Sequence, residues 1–233
     1  MSESTSAAPQ PSQSVPSRRR VASSLAWAVP TVVAAAAAPA EAASPPPRID
    51  RVFQLTLAPG VPWTEPKVSP CASTLFTNPT RLSVTTDNVN TYYRIVNVQA
   101  GSTVTGVTAS ILVQKSVVDK LSFVDPSSKG LTWTSTTTAS WSNPILEVSG
   151  TGSPVLYTNN GTQYYRYYST PATVPAPVSG TITLPPIQWY SNCSTNLSTL
   201  AQSTTVLANG RGSAVVNGKT LVNVGAYRTP TSQ

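Results

Sequence analysis

The segment Ala214-Val215-Val216-Asn217-Gly218-Lys219-Thr220-Leu221-Val222 reads as two extended runs joined by an Asn-Gly pair. Asn and Gly both accept the positive φ that a type I′ turn demands, so the pattern predicts a two-residue β-hairpin. Asn160-Gly161, between 155–157 and 164–168, repeats the signal in slightly weaker form. Working outward, period-2 alternation with β-branched or aromatic members marks strands over 52–57, 81–86, 92–98, 104–113, 131–138 and 181–184. Ser and Thr make up more than a quarter of the chain from Ser44 onward, and the whole sequence holds 22 prolines. Such a composition disfavours helices and suits short extended runs. Proline-dense 45–47, 59–70 and 171–177 read as a stem, loops or edges. The expectation is an all-β, antiparallel, immunoglobulin-like β-sandwich. The Cys and Trp spacing of true immunoglobulin domains is absent, so that likeness is one of architecture.

The first 43 residues differ from the rest. A Ser/Pro/Gln-rich start leads to Arg18-Arg19-Arg20, then an apolar stretch over 21–38, then small residues around Ala40 and Ala42. This is the three-part layout of a cleavable secretory signal, with the cut expected after Ala42 or Ala43. The segment 17–21 with its paired Arg18 and Arg19 resembles the twin-arginine export signal, and 26–30 running into poly-alanine resembles leaders of actinobacterial secreted and surface proteins. The resemblance covers the leader only. It implies a secreted or envelope location and leaves the mature domain unassigned. A retained membrane anchor is the alternative, but 18 apolar residues interrupted by Pro30 are at the lower limit for spanning. No stable membrane span is expected after cleavage. The domain reading is 1–43 as signal peptide and 44–233 as one elaborated sandwich. Two smaller sandwiches are the alternative, suggested by Tyr92-Tyr93-Arg94 and Tyr164-Tyr165-Arg166.

Cys71 and Cys193 are the only cysteines. An even count in an exported chain is most simply one disulfide, here closing a loop of more than a hundred residues. Two separate buried thiols are the alternative. The chain has no histidine, which removes Ser-His-Asp and Cys-His relays, His-ligated zinc and histidine pH switches. The six carboxylates after the leader, Asp50, Glu65, Asp87, Asp119, Asp125 and Glu147, show no spacing that nominates a glycosidase pair. Asp119 and Asp125 read as turn formers balancing Lys115, Lys120 and Lys129. Asp87, Asn88 and Asn90 are too sparse for a calcium loop. No catalytic residue, metal site or cofactor is nominated, and the chain is read as a non-enzyme.

The balance of 15 Lys and Arg against 8 Asp and Glu is spread thinly, without the clustered basic stripe that nucleic acid needs. Weak attraction to anionic wall polymers is a better use of it. Aromatics give the candidate binding surface. Alternation places Tyr164, Arg166 and Tyr168 on one strand face and Tyr165 and Tyr167 on the other. An open Tyr ladder beside Arg, joined by Trp133 and Trp141, could stack on sugar rings or form a protein interface. Cross-strand pairs that merely stabilise the sheet are the competing reading. The expected function is an exported structural, adhesive or partner-binding component of the envelope or medium. Its partner is a cell-wall or host polysaccharide or another surface protein. A secreted carbohydrate-binding module is the alternative, and a hydrolase working through carboxylates alone comes third. Open sheet edges add the expectation of assembly by strand addition, with the oligomeric state left open.

Overall fold

The computed structural model describes residues 45–59, 71, 79–177, 180–204, 206–228 and 231–232. The leader, with Arg18 and Arg19, lies outside the described residues, as do 60–70 of the first proline-dense loop.

The described chain is all-β. Its first strands are β1 (Arg48–Val52), β2 (Gln54–Pro59), β3 (Thr80–Thr85), β4 (Tyr92–Val98) and β5 (Val104–Gln114). A single helical turn, α1 (Lys115–Val118), precedes β6 (Trp133–Ser135), β7 (Ile145–Leu146), β8 (Leu156–Asn159) and β9 (Thr162–Ser169). Then come β10 (Gly180–Thr183), β11 (Gln188–Ser191), a short α2 (Leu197–Gln202), β12 (Ala208–Val216), β13 (Lys219–Val224) and β14 (Thr231–Ser232). Both Asn-Gly turns form as read. Asn217 and Gly218 have φ of 49° and 77°, and Asn160 and Gly161 have 47° and 78°, the double positive φ of type I′.

Three sheets result, in the orders β1-β4-β10, β14-β2-β3-β11-β6 and β13-β12-β5-β9-β7, with β8 also paired to β9. All pairings are antiparallel except β14 with β2. The first two sheets share a logic. Segments 48–59, 80–98 and 180–191 each supply one strand to both, and β1-β4-β10 matches β2-β3-β11 position by position. They form one layer broken across its width, at Phe53, at the loop 86–91 and at 184–187 with Pro185-Pro186. Pairing is patched at the break: the Thr86 amide donates to the Ile187 carbonyl, and the Ile187 amide donates to Thr86 Oγ1. The run read over 131–138 is shorter in the structure, with only 133–135 laddered.

The third sheet packs on this split layer. Gly210 and Gly212 of β12 face it, and a Cβ at Gly210 would stand 2.5 Å from the Phe53 ring, one at Gly212 3.0 Å from the Tyr93 ring. Removing side chains there lets two aromatics of the opposite layer sit directly on the β12 backbone. The Tyr93 hydroxyl ends 3.0 and 2.8 Å from the carbonyl oxygens of Thr108 and Ser213. Ser213 borders the register shift between β12 and β5, so the phenol supplies a donor where the ladder is interrupted. Trp141 lies between Tyr93 (centroids 6.3 Å apart) and Trp189 (6.0 Å). One hydrophobic cluster draws on all three sheets. Cys71 and Cys193 are joined in a disulfide spanning 122 residues, with Cα atoms 5.5 Å apart.

Candidate functional site on the outer face of the six-stranded sheet

In an antiparallel ladder directly opposed residues project to the same side. Val113, Ile111 and Ala109 of β5 enter the core, so Thr108, Ser110 and Leu112 point outward. The register then fixes their neighbours. One row runs Val224, Arg211, Ser110, Tyr168, Ile145 across β13, β12, β5, β9 and β7. Beside it run Asn209, Leu112, Arg166, and then Gln114, Tyr164, Tyr157.

Arg166 is the hub. It is 9% exposed, and a charge that withdrawn from water must be paired and hydrogen-bonded. Its Nη1 lies 3.2 Å from each Glu147 carboxylate oxygen, its Nε donates to Ser110 Oγ at 3.1 Å, and its Nη2 donates to Thr108 Oγ1 at 3.0 Å. The Tyr157 hydroxyl donates to Glu147 Oε2 at 2.7 Å. The guanidinium carbon is 5.3 Å from the Tyr168 ring centroid and 5.9 Å from that of Tyr157. The Arg211 guanidinium carbon is 5.0 Å from the Tyr157 ring centroid. The buried Nε of Arg211 has no hydrogen-bond partner among the described residues. Glu147 pairs with Arg166 alone, while Arg211 lies beside the Tyr157 ring, so this cluster holds two guanidiniums and one carboxylate and carries a net positive charge.

Tyr164, Arg166 and Tyr168 share this outer face, while Tyr167 joins the core, in keeping with the alternation read from the sequence. Their exposure differs from an open ladder. Tyr164 is fully buried, its ring 4.5 Å from that of Tyr227 and its hydroxyl donating to the Val206 carbonyl. Tyr168 is only half-buried. Trp133 and Trp141 do not belong to a surface at all. Both are buried, Trp133 against Tyr167 and Trp141 between Tyr93 and Trp189. The reason is packing: both tryptophans belong to the hydrophobic cluster between the layers, where large rings bury the most apolar area.

Glu147, Tyr157 and Arg211 escaped the sequence reading. Tyr157 was recoverable, because a two-residue turn at Asn160-Gly161 sets it opposite Tyr164. Glu147 and Arg211 depend on long-range pairing and carry no local signal. The other described carboxylates serve elsewhere. Asp119 pairs with Lys115 and accepts from the Tyr165 hydroxyl, and Asp125 accepts from the Ser127 amide and hydroxyl, matching their reading as turn and charge-balancing residues. Among the described residues no group of three or more Cys, Asp or Glu side chains could hold a metal ion, and no helix is long and apolar enough to cross a membrane.

Chemically, the outer face can hold an anionic or π-rich partner. It offers oriented guanidiniums, two half-buried phenol rings, and at the row's ends the exposed side chains of Ile145 and Val224. No protein-family profile matches the sequence, and neither a curated protein nor a solved structure shows significant similarity to it.

Proposed function

We propose that the chain is an exported, non-enzymatic β-sandwich protein of the cell envelope or medium that binds a partner through the outer face of its six-stranded sheet. The observation that carries this reading is the row Val224, Arg211, Ser110, Tyr168, Ile145. It sets exposed aliphatic side chains around an arginine-tyrosine centre in one plane. Arg and Tyr are the residue types that anchor interfaces, and an apolar margin adds area that leaves water on contact. The disulfide is compatible with an oxidising compartment, and the leader supplies the route.

A carbohydrate-binding module is the second reading. It would use Tyr157 and Tyr168 as stacking faces and the arginines as hydrogen-bond donors.

The test is fractionation of the producing cells followed by retention on their insoluble wall material. The protein is expected outside the cytoplasm and retained on the wall, and the folded double variant Arg211→Gln/Ile145→Ser is expected to be released. Cytoplasmic recovery, or equal retention of the variant, overturns the reading. Retention on purified wall polysaccharide stripped of protein selects the carbohydrate alternative.

A further inference from the structure

A second pair of arginines sits at the margin of the sandwich, away from the Arg166 hub. Arg51 of β1 follows the inward-facing Ile49 by two residues, and its guanidinium enters the space between the layers, 5.0 Å from the Phe53 ring centroid. Its Nε donates to the Asn223 carbonyl at 3.1 Å. Arg228 donates from Nη2 to the Phe53 carbonyl at 3.0 Å. Both arginines line a cleft of about 180 Å³ whose other walls include Phe53, Leu55, Asn209 and Ala226. Gly225 lines it too, and a Cβ there would collide with Arg51 Nη2, so the glycine is what lets the guanidinium lie in the cleft.

The charges here do not balance among the described residues. Asp87 is engaged in its own loop, Asp119 with Lys115, Asp125 with Ser127 and Glu147 with Arg166. Asp50 projects from the opposite side of β1 to Arg51 by strand alternation. Arg51 Nη2 is buried without a hydrogen-bond partner among the described residues. Burial, opposed by Tyr93 and reinforced by the charge of Arg228, brings the Arg51 pKa down to about 10. The group therefore stays charged at neutral pH beside a second cation. A buried guanidinium facing another guanidinium calls for an anion.

We propose that this cleft binds a small oxyanion, a carboxylate, sulfate or phosphate group, between Arg51 and Arg228. The planar guanidinium fork suits the geometry of such groups. The apolar walls accommodate a short carbon body attached to the anion, and the volume excludes a bulky one. The proposal does not depend on the outer face serving as the partner surface.

The test is calorimetric titration of the full chain with inorganic phosphate, sodium sulfate and sodium acetate, each against sodium chloride at equal ionic strength. Saturable one-to-one binding of at least one oxyanion is expected. Arg228→Gln removes an exposed side chain and should leave the fold intact, yet weaken that binding by roughly tenfold or more. Lys129→Gln removes the same charge elsewhere and should leave binding unchanged. Arg51→Gln, if it folds, should abolish it. Absence of binding for all three anions overturns the proposal. So does unchanged affinity in Arg228→Gln, or an equal loss in Lys129→Gln, which would mark diffuse attraction to net charge.

Discussion

Asp87 shows how much of the local structure one side chain can hold. Its Oδ1 accepts from the backbone amides of Val89, Asn90 and Thr91 at 2.8, 2.9 and 2.9 Å, and from Thr91 Oγ1 at 3.0 Å. These bonds, the Thr91 amide foremost, lower its pKa from 3.8 to about 2. Because the folded value lies below the unfolded one, the contribution is fully present above about pH 4 and is lost as pH falls through about 2. NMR titration should therefore place the carboxyl midpoint near 2 and show the Asn90 and Thr91 amide signals moving with it. A midpoint near 4 would show that the carboxylate does not hold this loop. From the sequence, Asp87, Asn88 and Asn90 stand out only as a cluster too sparse for calcium. Their role as a loop closure becomes visible once the carboxylate is seen to take three consecutive amides. The same scale separates Arg166 from Arg211. The first is paired and nearly buried, the second keeps an Nε without a hydrogen-bond partner among the described residues, and nothing adjacent in the chain distinguishes them.

Among the elements, the two hairpins were legible because an Asn-Gly turn is a local device whose φ requirements few other residues meet. The strands 92–98 and 104–113 were legible because their alternation matches a half-buried sheet. The break of one layer into two smaller sheets was not. Phe53 looks like an ordinary strand residue, and its exit from the ladder follows from contact with Gly210 on the facing sheet. That contact supports a prediction. Gly210→Ala would place a methyl group 2.5 Å from the ring of Phe53, which is 3% exposed. We expect a loss of about 1–3 kcal/mol in chemical denaturation, the usual cost of overpacking a filled core. A neutral substitution would mean that the two layers separate more readily than their contacts indicate. The burial of Trp133 and Trp141 was hidden for the same reason: whether a ring faces solvent or core depends on which distant segments pack against it, here Tyr167 for the first and Tyr93 and Trp189 for the second.

Over the whole molecule, the disulfide ties Cys71, ahead of β3, to Cys193, just after β11, and these two strands are neighbours in one sheet. In the chain-entropy description a loop of this length stabilises the folded chain by roughly 4–5 kcal/mol. Cys71→Ser/Cys193→Ser should lower stability by about 2–5 kcal/mol, read from urea unfolding under non-reducing conditions, while far-ultraviolet circular dichroism of the folded variant stays sheet-like. A loss below half a kcal/mol would mean that the unfolded chain is already constrained without the bond. The margin at β13, where an open edge could recruit another strand, is partly taken up within the molecule. Arg51 bonds to the Asn223 carbonyl and Asn223 Nδ2 donates to the Ile49 carbonyl at 2.9 Å, so β1 lies against the last strand of the large sheet.

Fold class, the turn positions and the facing of Tyr164, Arg166 and Tyr168 could all be read from the chain, because each depends on residues within a few positions of one another. The disulfide followed from counting. The split layer, the Glu147-Tyr157-Arg166 cluster and the cleft of Arg51 and Arg228 could not be read that way. Each joins segments far apart in the chain, Arg51 to Asn223 across 172 positions, through pairings that no local period encodes. What lies opposite a side chain is settled only when the layers close, and here that decides which aromatics are core and which arginines keep a free face.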